Sequence, residues 1–169
     1  MVHPIVYWPE AVLNTPAKDV TDFGPDLQKL IAEMWESMYA AKGIGLAAPQ
    51  IGIPLRLTVI DTTEQGGERF IMANPVIEAR EEPIEWEEAC LSVPGESGKT
   101  KRFRKVTVRY QDENGNPATK TAEGITAVAI QHETDHLNGT VYVMHLSAMK
   151  RDIIRERMKK RKRWRARGE

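Results

Sequence analysis

Residues 132–136 read His-Glu-Thr-Asp-His, and this pentapeptide carries the strongest chemical signal in the sequence. Residues four apart lie on the same face of a helix, so two imidazoles at this spacing can bind one metal ion. The glutamate beside the first histidine is placed to exchange a proton with water at such an ion. The alternative is a surface helical turn that carries these residues by chance, and a third ligand would decide between the two.

The size and composition of the chain favour a single soluble domain. Its 169 residues are enough to bury a hydrophobic core. No apolar run approaches the ~20 residues that cross a bilayer, and the N-terminus lacks the basic and apolar regions of a signal peptide. The chain has one cysteine, Cys90, so it cannot form an intrachain disulfide. These features predict a cytoplasmic protein with no membrane partner.

Charge is distributed unevenly along the chain. Of its 24 basic and 24 acidic residues, 11 basic and 3 acidic residues lie between Lys150 and Glu169. The tail therefore carries +8 and the rest of the chain −8. Such a basic tail indicates either an anionic partner or an ordinary solvated helix.

The hydrophobic pattern predicts helices in three places. Pro25 marks the first residue of a helix that Gly43 can end. We expect its apolar stripe to belong to the core. The pentapeptide helix is expected from Gly124 to Asn138, and Ser147 is positioned to cap a last helix that continues into the basic tail.

Shorter periodicities between these helices predict strands. They cover residues 55–61, 69–77, 80–87 and 118–122, with a pause at Pro83 and a half-buried strand around Val108. Residues 140–146 are also rich in β-forming types. Strands and helices do not alternate, so we predict an α+β fold. Antiparallel sheets would pack around a central metal-binding helix, with an N-terminal helix and a C-terminal basic helix.

Two residues compete as the third ligand. Glu156 follows His136 at a distance that one class of zinc proteases uses, but Arg155 and Arg157 flank it, as in an ordinary helical ion pair. Cys90 lies between an apparent strand and a Pro-Gly turn. Its thiolate would suit a transition metal bound by two imidazoles. In other proteins a lone cysteine is usually a small buried apolar residue, and this is the competing interpretation for Cys90.

Three segments together resemble the signature motifs of the peptide deformylase family. They are Gly-Ile-Gly-Leu-Ala-Ala-Pro-Gln at 43–50, Glu-Ala-Cys-Leu-Ser at 88–92 and Gln-His-Glu-Thr-Asp-His-Leu-Asn-Gly at 131–139. Their order and spacing match the family, and the resemblance covers nearly the whole chain. It implies an enzyme that hydrolyses the formyl group from the N-terminal methionine of nascent polypeptides and releases formate.

The resemblance also implies a metal centre. Cys90, His132 and His136 would bind one divalent ion, and Glu133 would act as general acid and base. Fe²⁺ would be the usual ion in the cell, with Zn²⁺ or Ni²⁺ as alternatives, because this ligand set does not discriminate among them.

The same resemblance implies how substrate would bind. The Gln50 amide and the Leu91 backbone N–H would stabilise the oxyanion. Ile44 and Gly45 would pair with the substrate backbone. Val128 and Ala129, which lie on the helix face before His132, would help to form the pocket for the methionine side chain.

The partner and domain predictions follow from the family as well. Residues 1–147 would form the catalytic domain, and residues 148–169 a basic helical extension of it. Residues 150–167 would bind the ribosome. The alternatives are a metalloendopeptidase with Glu156 as third ligand, and a nucleic-acid-binding or ribosome-binding module without catalysis.

The sequence departs from the family pattern at three places. Ala89 replaces a usual glycine, and we expect a small change in packing with retained activity. Arg102 takes the place of the arginine in a usual Arg-Pro pattern, and the proline is absent. Met144 and His145 replace an acidic-basic pair, and His145 is expected to be a surface or structural histidine that binds no metal.

Overall fold

The computed structural model describes residues 1–166 of the chain, with side chains as far as residue 163. Residues 167–169, the end of the predicted basic extension, lie outside this range. In chain order the elements are α1 (Pro25–Ala40), β1 (Gly45–Ala47), β2 (Leu57–Asp61), β3 (Arg69–Glu88), β4 (Gly98–Gln111), β5 (Pro117–Glu123), α2 (Gly124–Leu137) and α3 (Ala148–Ala166). Among these residues, no helix has the length and apolar character that crossing a membrane requires.

The strands of the described residues form one antiparallel sheet in the order β1-β2-β3-β4-β5. The α+β prediction is confirmed, and α1 begins at Pro25 as predicted. One correction concerns the sheets, which were expected to be several. They are a single sheet because β3 pairs with β2 through its first five residues and with β4 along most of its length.

Strand β3 also corrects the predicted pause at Pro83. It runs through that proline for 20 residues, and Pro83 stands opposite Phe103 of β4. A proline interrupts a strand when it removes a ladder hydrogen bond. Only residues 69–73 of β3 pair with β2, so the later half is an edge on that side and tolerates a missing N–H. Irregular register after Ala73 separates the two halves.

The sheet separates α1 from α2. Along β2, Leu57 and Val59 belong to a buried cluster with the apolar stripe of α1, whereas Ile60 belongs to a cluster with Ile130 of α2. Successive strand residues point to opposite faces, so the two helices cover opposite sides of the sheet. This arrangement buries α2 almost completely and gives its metal-site residues a rigid support.

Helix α3 packs against the N-terminal segment of the chain. Ile154 and Met158 are buried with Trp8 and Tyr142, in a cluster that also contains Cys90. The β-forming residues at 140–146 do not form a strand, and Tyr142–His145 is a short 3₁₀ helix. Burial of its side chains against α3 outweighs the local β preference.

Removing the Ile154 side chain to the β-carbon should destabilise the protein. We expect Ile154→Ala to lower the free energy of unfolding by about 2–5 kcal/mol, since the substitution leaves a cavity in a packed cluster. Urea unfolding followed by circular dichroism measures it. Met149→Ala is the matched control, because Met149 lies on the same helix with 74% of its surface exposed. An equal loss in both variants would show that α3 is not anchored through Ile154.

Candidate active site

Helix α2 supplies two of the three predicted metal ligands on adjoining turns. The Nε2 atoms of His132 and His136 lie 3.2 Å apart, as the four-residue spacing requires. His136 is fully buried, and His132 is nearly so. Two imidazole nitrogens this close face a common point, so the helix presents a pair of donors.

The third donor comes from the turn after β3. The Cys90 Sγ atom lies 3.3 Å from the His136 Nε2 atom. The Sγ atom and the two imidazole nitrogens all lie within 4.8 Å of one another. Glu156 does not approach this group: its side chain is 65% exposed on α3 and pairs with Lys159. Of the two candidates for the third ligand, Cys90 is therefore the one that the fold brings next to the histidines.

A buried carboxylate orients His132 from behind. The His132 Nδ1 atom lies 2.6 Å from Glu88 Oε1, so Nδ1–H donates to the carboxylate and Nε2 is left to face Cys90 and His136. Arg102 donates to both oxygens of Glu88 at 2.6 and 2.8 Å, and Thr100 donates as well. Burial alone would raise the pKa of Glu88, but these donors hold that pKa far below its usual value. Glu88 is thus an ionised anchor for the imidazole.

Glu133 is enclosed between α2 and β1. Its side chain is 3% exposed, and its Oε2 atom has no hydrogen-bond partner among the described residues. Burial raises the pKa of Glu133 to about 7. Gly45 gives this carboxylate its space, because a β-carbon at Gly45 would lie 3.1 Å from the Glu133 carboxyl carbon. A group with these properties can take up and release a proton near neutral pH.

Gln50 lies beside the thiol. Its Oε1 accepts the Ala47 backbone N–H at 2.9 Å, which fixes the orientation of the amide. Its Nε2 then lies 3.2 Å from Ser92 Oγ and 3.5 Å from Cys90 Sγ. The amide therefore presents an N–H donor next to the three potential ligands. Leu91 follows directly after Cys90, and its side chain packs closely against Gly43.

A cavity of about 470 Å³ opens onto these groups. The four predicted substrate-binding residues, Ile44, Gly45, Val128 and Ala129, all line it. Ile125 and Trp86 line it too, although the sequence motifs did not predict either residue. Ile125 lies three residues before Val128 on the same face of α2, and Trp86 lies two residues before Glu88 on the same face of β3. From those two spacings, both residues could have been predicted to line the site.

Ala89 fits its turn without strain. The non-glycine residues with positive φ in the described chain are Lys42, Asn74 and Glu82, so the backbone at Ala89 is one that any L-residue adopts. Ala89 is also exposed at the rim of the cavity. The β-carbon of Ala89 therefore has space without displacing residues of the core.

The donor set fits a transition metal. One thiolate and two imidazoles form the kind of three-ligand set with which catalytic sites hold an ion while keeping a fourth position for water or substrate. The Glu88 carboxylate behind His132 adds the outer support that such ligands usually have. Arg102, Glu88 and Thr100 are the supporting residues whose contacts the sequence could not show.

Sequence comparison places the chain among known proteins. A family model described as polypeptide deformylase matches residues 2–152. A peptide deformylase of Acidobacterium capsulatum is 47% identical over 165 residues, covering 96% of this chain and 97% of the relative. A peptide deformylase of Chromobacterium violaceum is 46% identical over 157 residues, covering 93% and 94%.

Solved structures give the same result. A peptide deformylase of Legionella pneumophila superposes with a TM-score of 0.92 at 44% identity, and 99% of each chain is covered. A peptide deformylase of Synechococcus elongatus in complex with actinonin superposes with a TM-score of 0.85 at 37% identity, covering 92% of this chain and 87% of the other.

Proposed function

The chain belongs to the peptide deformylase family, and we propose that Cys90, His132, His136 and Glu133 are the residues with which it carries out the family's reaction. It is a hydrolase that removes the formyl group from the N-terminal methionine of nascent polypeptides. The observation that supports these roles is that three donor atoms lie within 4.8 Å of one another, beside a buried carboxylate and next to a cavity that Cys90, His132 and Glu133 line.

Cys90, His132 and His136 would hold one divalent ion. When bound there, the ion supplies a Lewis acid that lowers the pKa of water toward ~7 and polarises the formyl carbonyl. Fe²⁺ is the ion we propose for the cell. Zn²⁺ and Ni²⁺ are alternatives, since one thiolate and two imidazoles accept all three.

Glu133 moves the proton. Water adds to the formyl carbon, the bond from that carbon to nitrogen breaks, and formate and a free amine leave. Glu133 accepts the proton of the attacking water at its unpartnered Oε2 and delivers it to the leaving nitrogen. Enclosure of the carboxylate favours this role, because burial raises its pKa to about 7 and so suits it to both steps.

Substrate binds along β1 and in the cavity. β1 pairs only with β2 in the described residues, so its other edge can accept the substrate as an added strand through Ile44 and Gly45. The methionine side chain enters the cavity and packs against the apolar wall that Val128 and Ala129 form on α2. This placement brings the formyl group to the Gln50 amide and the Leu91 N–H, which stabilise the developing oxyanion.

The reaction is tested with purified protein, prepared without oxygen and incubated with a formyl-methionyl tripeptide. We expect formate release from this peptide and no acetate release from the matching acetylated tripeptide. An unfolded protein such as casein should stay intact, which separates this function from a metalloendopeptidase. Internal cleavage of casein without formate release would contradict the proposed function.

The Gln50 donor can be removed by substitution. Gln50→Glu keeps an oxygen that accepts the Ala47 N–H, and it replaces the NH₂ donor with a second carboxylate oxygen, which adds a negative charge. We expect kcat to fall by about 10²- to 10³-fold, as for other oxyanion donors. Metal content should not change, because Gln50 is not among the three donors. A kcat near that of the parent enzyme would mean that Leu91 alone stabilises the oxyanion.

We also propose that the basic helix binds the ribosome in the cytoplasm, as an extension of a catalytic unit that spans residues 1–147. Two exposed cations of α3, Lys160 and Arg163, form no ion pair within the described residues and are available to phosphates. Ile154 and Met158 of the same helix are buried. Removing the whole helix would therefore disturb the core, and charge substitutions are the cleaner test.

Lys160→Glu and Arg163→Glu together should weaken ribosome binding. The slope of log affinity against log salt should fall by about one for each lost phosphate contact. Sedimentation with ribosomes at several salt concentrations measures it. The matched control is Lys99→Glu with Lys101→Glu, two exposed lysines of β4. Hydrolysis of a short formyl peptide should be unchanged in the α3 variant, and equal ribosome binding by both variants would contradict the proposal.

A further inference from the structure

His145 lies at the outer end of a continuous series of hydrogen bonds that reaches the metal-site helix. It is the last residue of the 3₁₀ helix Tyr142–His145, and its side chain is 39% exposed. Its Nε2 atom lies 3.1 Å from the Oδ2 atom of Asp135 on α2. The contact connects the segment after α2 back to the helix that carries His132 and His136.

The same oxygen of Asp135 also accepts from Arg102. The Arg102 Nη1 atom lies 2.7 Å from Asp135 Oδ2, and Arg102 is 5% exposed. Asp135 Oδ2 is therefore an acceptor that two donors hold from different directions.

Arg102 passes this constraint on to Glu88. Its guanidinium is a planar group with donors in fixed directions, so its orientation is set by what it meets at each end. One end meets Asp135, and the other meets both oxygens of Glu88 at 2.6 and 2.8 Å. Glu88 in turn holds His132 Nδ1 at 2.6 Å. Five side chains from four segments thus form one series from the surface to His132.

We propose that His145 is a positioning residue for His132, acting through Asp135, Arg102 and Glu88. The proposal rests on the proposed metal-binding role of His132. The Asp135 side chain is 27% exposed, so without the second donor its carboxylate can rotate toward water. Arg102 then loses one of its two anchors, and Glu88 holds the His132 ring in a less defined orientation. Ligand orientation governs how firmly an ion is held.

An ordinary surface ion pair is the competing explanation for the contact between His145 and Asp135. Exposed pairs contribute little to stability and do not affect a distant site. A pair of that kind would change only the unfolding temperature, and slightly. A positioning role would change the properties of the metal centre while the protein stays folded.

Two substitutions at one position separate these explanations. His145→Leu removes the donor, and His145→Gln keeps an N–H that can reach Asp135. We expect His145→Leu to lose its metal to a chelator about threefold to tenfold faster, less than the ~10- to 100-fold effect of residues that bond a ligand directly. The visible spectrum of the Co²⁺-loaded protein should shift in the same variant. His145→Gln should restore both properties.

His3→Leu is the matched control, because His3 is a partly exposed histidine that also pairs with a carboxylate, Glu33. It should leave metal release and the Co²⁺ spectrum unchanged. In an Asp135→Asn background, His145→Leu should cause no further acceleration, since the path between them is already broken.

Unchanged metal release and spectrum in His145→Leu would overturn the proposal, and so would fully additive effects with Asp135→Asn. Formate release by the unsubstituted protein is measured in parallel. A protein that binds metal but releases no formate would overturn the proposed function alone, because metal release and the Co²⁺ spectrum report on His145 without requiring catalysis.

Discussion

Glu133→Gln should reduce deformylation by about 10²- to 10⁴-fold, the range that a positioned general acid and base supplies. Glutamine has the same shape as glutamate, so the enclosed site between α2 and Gly45 should accommodate it. It cannot take up the proton of the attacking water or deliver a proton to the leaving nitrogen. Formate release under saturating formyl-methionyl peptide measures the loss in kcat.

Metal content distinguishes this effect from damage to the site. Glu133 is not among the three donors, so the variant should bind as much metal as the parent. The Co²⁺-loaded variant should also keep the visible absorption spectrum of the Co²⁺-loaded parent. Full activity in Glu133→Gln would remove this residue from the mechanism and would favour a water molecule as the proton carrier.

Cys90→Ala should abolish metal binding, and deformylation with it. The substitution removes the only sulfur donor and leaves two imidazole nitrogens 3.2 Å apart. Two neutral imidazoles without a thiolate form a weaker and less charged site for a divalent ion. We expect metal content after anaerobic purification to fall from about one ion per chain to near zero, and formate release to become undetectable.

Glu156→Gln is the matched control, because Glu156 was the other candidate for the third ligand. Its side chain is exposed on α3, so metal content and activity should stay at the parent level. Both Cys90→Ala and the parent should be compared in urea unfolding with a chelator present, since Cys90 also packs in the α3 cluster. A Cys90→Ala protein that kept both metal and activity would disprove the ligand assignment.

The outline of the fold could be predicted from local patterns. Apolar spacing located α1 from Pro25, and the α+β class followed from the absence of alternating strands and helices. The single long β3 could not be predicted, because Pro83 interrupts a strand only when its missing N–H is needed by a neighbour. Whether β3 is an edge at that point depends on where β2 ends.

The candidate site divides in the same way. The four-residue spacing of His132 and His136 fixes two donors on one helical face, whatever surrounds them. Glu133 was recognisable from its place beside them. Arg102 and Glu88 carried no comparable signal, because their contacts join β4 to the end of β3 and then to α2.

The sequence by itself determined the chemistry of this protein: a helix with paired imidazoles and a carboxylate, and one cysteine of the type that completes such a site. Helical periodicity is a property of the local backbone, so it can be derived from residue spacing. The tertiary structure alone decided that Cys90 reaches His136, that Glu88 orients His132 and that a cavity adjoins Glu133. Those contacts join residues more than 40 positions apart, and they depend on how α2 packs against the sheet.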